Sequence, residues 1–106
     1  MLDAGLFRTY IKPMENAGGK YEWDENKREA NRAKHGVDFA AVAGFVWSTA
    51  LVRRDLRQEE TRYAAMGLIN GRLHALVFTL RGDAVRVISL RKANDREKEL
   101  YNDAKA

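Results

Sequence analysis

The residues of this chain able to do chemistry are cations and carboxylates gathered toward its C-terminal half. Arg62, Arg81, Arg86, Arg91, Lys92 and Arg96 all fall in segments that read as strands or strand exits. From Arg81 to Lys98 there are six Lys/Arg against three Asp/Glu, so most of the positive excess lies in one strand-to-helix unit. Guanidinium groups held at the end of a rigid strand suit a phosphate, because their planar forks match its oxygens. Glu59 and Glu60 beside Arg62, and Glu97 beside Arg96, read either as salt bridges that orient those cations or as proton acceptors in a cleavage site. His35 ends a helix whose dipole favours a protonated ring. It is a general acid or base, a phosphate contact, or a partner for free helix carbonyls. His74, inside an apolar strand, reads as a packed or hydrogen-bonded residue, and Trp23 as a core anchor.

Other chemistries lack their residues. The chain has no cysteine, hence no disulfide framework, thiolate nucleophile or Cys-ligated metal. There is no Gly-x-x-x-x-Gly-Lys-Ser/Thr loop and no Gly-x-Gly-x-x-Gly after a strand, so nucleotide cofactors have no signature. With His35 and His74 as the only histidines and no carboxylate cluster at ligand spacing, neither a metal nor a cofactor is expected. Ser48 and Ser89 have no His/Asp arrangement near them in the sequence. A net charge of +4 favours a polyanionic partner mildly. The longest apolar runs, such as Leu73 to Leu80, are too short to span a bilayer, and no signal-peptide core opens the chain. A soluble cytoplasmic protein is the expectation.

The elements that must position these residues follow from turn and cap signals. At 106 residues one domain is expected, 21–106, preceded by a flexible extension, 1–20, that holds the only proline and a Gly18-Gly19 pair. Tyr21-Glu22-Trp23 reads as a short strand. Asp24 then caps a helix to His35, and Gly36 stops it. On that helix Lys27, Asn31 and Lys34 share one face, with Ala30, Ala33 and Val37 on an apolar side. A second helix is predicted from Asp38 to Trp47 on its Phe39, Val42, Phe45, Val46 stripe. Leu51 to Leu56 reads as an edge strand. Thr61 to Ile69 and Leu73 to Leu80 form a hairpin about Asn70-Gly71, which asks for a type I′ turn. Ala84 to Leu90 completes the meander, and a last helix runs from Asp95 to about Asp103, with Asn94 and Glu97 as a capping box. The expected fold is α+β: an antiparallel meander of four to five strands with two N-terminal helices and one C-terminal helix.

Four blocks of this order, Tyr21-Glu22-Trp23-Asp24, Asn31-x-x-Lys34-His35-Gly36-Val37-x-Phe39, Glu60-x-Arg62-Tyr63-x-x-x-Gly67 and Ile88-Ser89-x-Arg91-Lys92-Ala93-x-x-x-Glu97-x-x-x-Tyr101, together resemble the BrnT family. BrnT proteins are toxins of type II toxin–antitoxin modules with a RelE-like α+β fold. The resemblance implies a metal-independent endoribonuclease that arrests translation. It also implies a BrnA-like ribbon-helix-helix antitoxin that joins it in a hetero-oligomer and alone contacts operator DNA. The implied chemistry is attack of a ribose 2′-hydroxyl on the adjacent phosphate, leaving a cyclic phosphate.

On that resemblance Arg62, Arg81 and Arg91 are the expected phosphate and transition-state contacts, and Lys34, His35 and Glu60 the candidates for proton transfer. Lys92, Arg96 and Tyr101 are expected to contact RNA, the last two also closing the site or meeting the antitoxin. Residues 1–20 have no counterpart in the family pattern, the Arg57-Gln58 region departs from it, and Asp95, Glu99 and Leu100 make the last helix less basic. The competing reading is a non-catalytic RNA-binding module that docks an antitoxin or ribosome. A DNA-binding regulator fits poorly, because Asp38 to Trp47 carries no Lys or Arg for a recognition helix.

Overall fold

Caps and turns within a few residues of one another set the frame. The structure, a computed structural model, describes residues 8–9, 20–55 and 61–106. In chain order the elements are β1 (Arg8–Thr9), β2 (Tyr21–Glu22), α1 (Glu25–His35), 3₁₀ helices Phe39–Gly44 and Trp47–Thr49, β3 (Leu51–Asp55), β4 (Arg62–Ile69), β5 (Arg72–Arg81), β6 (Ala84–Lys92) and α2 (Asp95–Lys105). The Asp24 carboxylate accepts from the Asn26 and Lys27 N–H groups, and Gly36 ends α1 in the left-handed conformation. Asn70 and Gly71 both take positive φ, 50° and 77°, as the type I′ turn between β4 and β5 requires. Asn94 and Glu97 form the expected capping box at the start of α2.

The sheet runs β1-β3-β4-β5-β6-β2. From β3 to β6 it is the expected antiparallel meander. It is nevertheless mixed, not purely antiparallel, because Tyr21 and Glu22 pair with Val85 and Arg86 in parallel. Those strands are separated by the helices and the whole meander, so no tight turn dictates their relative direction. On the far side Arg8 and Thr9 pair with Val52 and Leu51, so β3 is not an open edge along that stretch.

The predicted second N-terminal helix is also corrected. Phe39–Gly44 and Trp47–Thr49 are 3₁₀ helices, so α1 is the one α-helix before the meander among the described residues. Phe39, Val42 and Phe45 recur every third residue, the period of a 3₁₀ helix rather than an α-helix. Phe45 then turns extended and bridges to Ile69, and the Val46 N–H donates to the Leu68 carbonyl. Pairing with β4 thus takes the backbone that a longer helix would need.

Side chains from these short helices fill the core on one face of the sheet. Phe39, Val42, Phe45 and Trp47 are buried there against Leu76, Phe78 and Leu90. Trp47 meets Phe45 and Phe78 edge-on and donates its indole N–H to the Tyr21 hydroxyl at 2.8 Å. Trp23 meets Phe39 edge-on, in keeping with its expected anchoring role. Gly67 lies so close beneath Phe45 that a Cβ there would stand 2.4 Å from the ring.

Helix α1 reverses expectation in what it buries. Ala30 and Ala33 are exposed, and Asn31 is its buried residue. The Asn31 side chain accepts from the Leu90 N–H at 3.2 Å and donates to the Leu90 carbonyl at 2.7 Å, with a further bond to the Val37 carbonyl. One amide therefore completes the β6 backbone as another strand would.

On the opposite face α2 packs Leu100 and Tyr101 over Leu51, Met66 and Leu73, and the Tyr101 hydroxyl donates to the Thr49 carbonyl at 2.9 Å. Among the described residues no helix is long and apolar enough to cross a membrane.

Candidate active site

Beside α2, strand alternation collects arginines on the same face. Register places Arg53 opposite Ala64, Ala64 opposite Val77, and Ala75 opposite Arg91, so these side chains share one side of the pleat. Period two carries Arg62 onto that face from Ala64, and Arg86 onto it from its pairing with Thr79. The floor is made of small side chains. Ala64, Ala75 and Val77 leave a cavity of about 190 Å³ walled by Arg53, Arg91, Glu97 and Leu100.

Arg91 is held firmly in that wall. Its Nη1 and Nη2 donate end-on to the two Glu97 carboxylate oxygens, each at 2.8 Å, and Nη1 reaches the Lys92 carbonyl at 3.3 Å. The Glu97 carboxylate also accepts the Asn94 N–H of the capping box at 2.9 Å. The Arg91 hydrogen bond holds the Glu97 carboxyl below its ordinary range, and burial opposes it only in part. The Arg91 guanidinium is correspondingly held more firmly protonated. Of its five N–H donors, the Nε and outer Nη2 hydrogens make no hydrogen bond among the described residues. They form a side-on fork, the geometry that receives two phosphate oxygens. Glu97 thus fixes the cation without consuming the edge that would meet an anion.

Two more arginines of this face differ in state. Arg86 donates to Glu22 at 2.7 Å, an ion pair that ties β6 to β2. Arg62 has its Nε buried with no hydrogen-bond partner among the described residues, an arrangement that leaves a donor in need of an acceptor.

The remaining sequence candidates go elsewhere. Lys34 and His35 line a groove of about 230 Å³ at the outer edge of β6, with Lys27, Asn31, Ile88 and Ser89. Tyr101 lines a third depression with Leu68, Arg72, Leu73 and Lys98. These hollows share no lining residue with the arginine cavity. Lys92 is paired with His74 and so faces the side opposite to Arg91. Arg81 ends β5 and Arg96 lies in the first turn of α2, both exposed. Glu60 lies outside the described residues. His74 is buried with its Nδ1 at 2.8 Å from the Arg72 carbonyl, as a strand residue rather than a site residue.

Arg53 is a cavity residue that sequence reasoning did not place in the site, and Glu97, read there as a partner of Arg96 or a proton acceptor, is instead the clamp on Arg91. Arg53 was visible only as a charge on a strand, and nothing local ties β3 to β6. Glu97 was visible through its cap, but its true partner lies six positions back in the chain rather than next door. Among the described residues, no three His, Asp or Glu side chains gather as metal ligands do.

A family model described as ribonuclease toxin, BrnT, of type II toxin–antitoxin system matches residues 23–97. No curated protein matches the chain. The matched span runs from Trp23 through α1 and the meander to Glu97, so it contains the whole Lys34–His35 groove and every residue lining the arginine cavity except Leu100, and it ends before Tyr101. Covering well over half of the sequence, it establishes that this chain belongs to the BrnT family of ribonuclease toxins of type II toxin–antitoxin systems.

Proposed function

We propose that the chain cuts RNA at the arginine cavity, by attack of a ribose 2′-hydroxyl on its neighbouring phosphate without a metal ion. The observation that carries this reading is the Arg91 guanidinium, clamped end-on by Glu97 with its side-on fork unused, over a floor small enough to admit a phosphate. In the reaction the 2′-oxygen bonds to phosphorus, the bond to the 5′-oxygen breaks, that oxygen takes up a proton from water, and a 2′,3′-cyclic phosphate and a 5′-hydroxyl result. Charge grows on the equatorial oxygens meanwhile, and fixed guanidinium groups stabilise it most where water is displaced. Arg91 is the principal contact, with Arg53 and Arg62 beside it on the same face and Glu97 acting as a positioning residue. Arg81, exposed at the end of β5, is a secondary phosphate contact. Glu60, two positions before Arg62 in the chain, is the carboxylate proposed to take the 2′-hydroxyl proton.

The toxin's partner is proposed to be a BrnA-like ribbon-helix-helix antitoxin, through which alone the complex meets operator DNA. The test is incubation of the purified chain with a structureless RNA in excess chelator, followed by analysis of the ends. Fragments with cyclic phosphate and 5′-hydroxyl termini are expected. Cutting that stops on chelation, or 3′-hydroxyl ends, would overturn the mechanism.

A further inference from the structure

Helix α1 sorts its cations onto two sides. Arg28 is clamped by Asp38, at 2.8 and 2.9 Å, and also bonds Glu25, while Arg32 is held by Glu29. These arginines serve the fold, locking α1 to the 3₁₀ helix that Asp38 caps. Lys27, Lys34 and His35 lie on the other side, at positions i, i+7 and i+8 about the buried Asn31. No ion pair engages either lysine among the described residues, and no residue lining their groove is acidic. The groove is thus a cationic trough with the Ser89 hydroxyl in its wall, held rigid by the Asn31 bonds to β6.

The trough lies one strand pairing away from the cavity. Ser89, in its wall, is paired across the sheet with Val77, on the cavity floor. An extended strand lying over Val77 and passing the edge of β6 therefore moves from Arg91 to Lys27 and Lys34.

We propose that Lys27, Lys34 and His35 form a second subsite that holds backbone phosphates of single-stranded RNA flanking the cleaved linkage. This rests on the RNA reading above. It assigns Lys34 and His35 to substrate grip rather than to proton transfer, and it adds Lys27, which the sequence set on the Lys34 face of the helix without a site role. The ligand class is a flexible polyanion of several linked phosphates, since a single phosphate would not reach both hollows.

The test is binding of a labelled, uncleavable 2′-O-methyl RNA oligonucleotide, measured across a series of salt concentrations. Lys27→Ala and Lys34→Ala are compared with Arg32→Ala, which removes the same charge from the opposite side of the helix. All three side chains are exposed, and circular dichroism and thermal unfolding of each variant check that the fold is kept. Each lysine variant is expected to lower the log–log salt slope by about 0.7, the value for one single-strand phosphate contact, with Arg32→Ala close to wild type. Lysine variants with the wild-type slope, or an equal loss in Arg32→Ala, would overturn the subsite while leaving the RNA reading in place. A wild-type protein that binds no oligonucleotide would overturn both.

Discussion

The guanidinium of Arg91 and the carboxylate of Glu97 meet end-on through two bonds of 2.8 Å, and the same carboxylate accepts the Asn94 N–H that begins α2. One side chain therefore couples the start of a helix to the cation at the end of a strand. The cavity inherits its geometry from the cap. With side-chain exposures of 35% for Arg91 and 17% for Glu97, the pair is sheltered but not sealed, and the arginine keeps an outward edge.

That coupling gives a pH signature. The Glu97 carboxyl is held below its ordinary value of 4.5 by Arg91. A carboxyl with a depressed folded value adds stability above its unfolded pKa and loses it as pH falls through the folded one. Thermal unfolding should therefore show Glu97→Gln below wild type at neutral pH, with the gap closing below about 4.5. Asp38, which Arg28 also holds low, is present in both proteins and cancels from the difference. A gap independent of pH would contradict the pairing.

Asn31 is expected to matter for the fold as much as any core hydrophobe. Asn31→Ala would strip the Leu90 N–H and carbonyl of their partner at a buried edge. Unsatisfied buried groups cost about 1–3 kcal/mol each, so a loss of roughly 2–4 kcal/mol is expected in urea unfolding. Faster hydrogen exchange at the Leu90 amide should accompany it. A change under about 0.5 kcal/mol, the scale of an ordinary surface substitution, would refute this role.

Gly67→Ala should also destabilise, by about 1–3 kcal/mol, because the added methyl meets the Phe45 ring at 2.4 Å. Phe45→Leu in the same chain should return part of that loss by vacating the ring's space. Equal destabilisation by the two changes added independently would show that no such contact exists.

What the sequence revealed and what it hid divide by distance along the chain. The Asp24 and Gly36 caps, the Asn70-Gly71 turn and the Asn94–Glu97 box were legible because residues within four positions decide them. The parallel pairing of β2 with β6 was not, nor was the burial of Asn31, whose partner Leu90 lies 59 positions away. The Phe39, Val42, Phe45 spacing was misassigned to an α-helix although its period of three is that of a 3₁₀ helix. For the site, the cationic strand-to-helix junction was legible from charge alone. The separation of Lys34 and His35 from Arg91 was not, because the distance between them depends on how α1 docks on β6.

The Arg91 side chain offers the most direct test. Cleavage of a structureless RNA in excess chelator should be compared among wild type, Arg91→Lys and Arg91→Ala, with folding checked by circular dichroism. Losing one preorganised contact to a developing oxyanion costs about 10²–10³ in rate, and that fall is expected for Arg91→Ala. Arg91→Lys keeps the charge but not the fork, and should recover only part of it. A folded Arg91→Ala that cuts at the wild-type rate would place the chemistry away from this cavity and contradict the account.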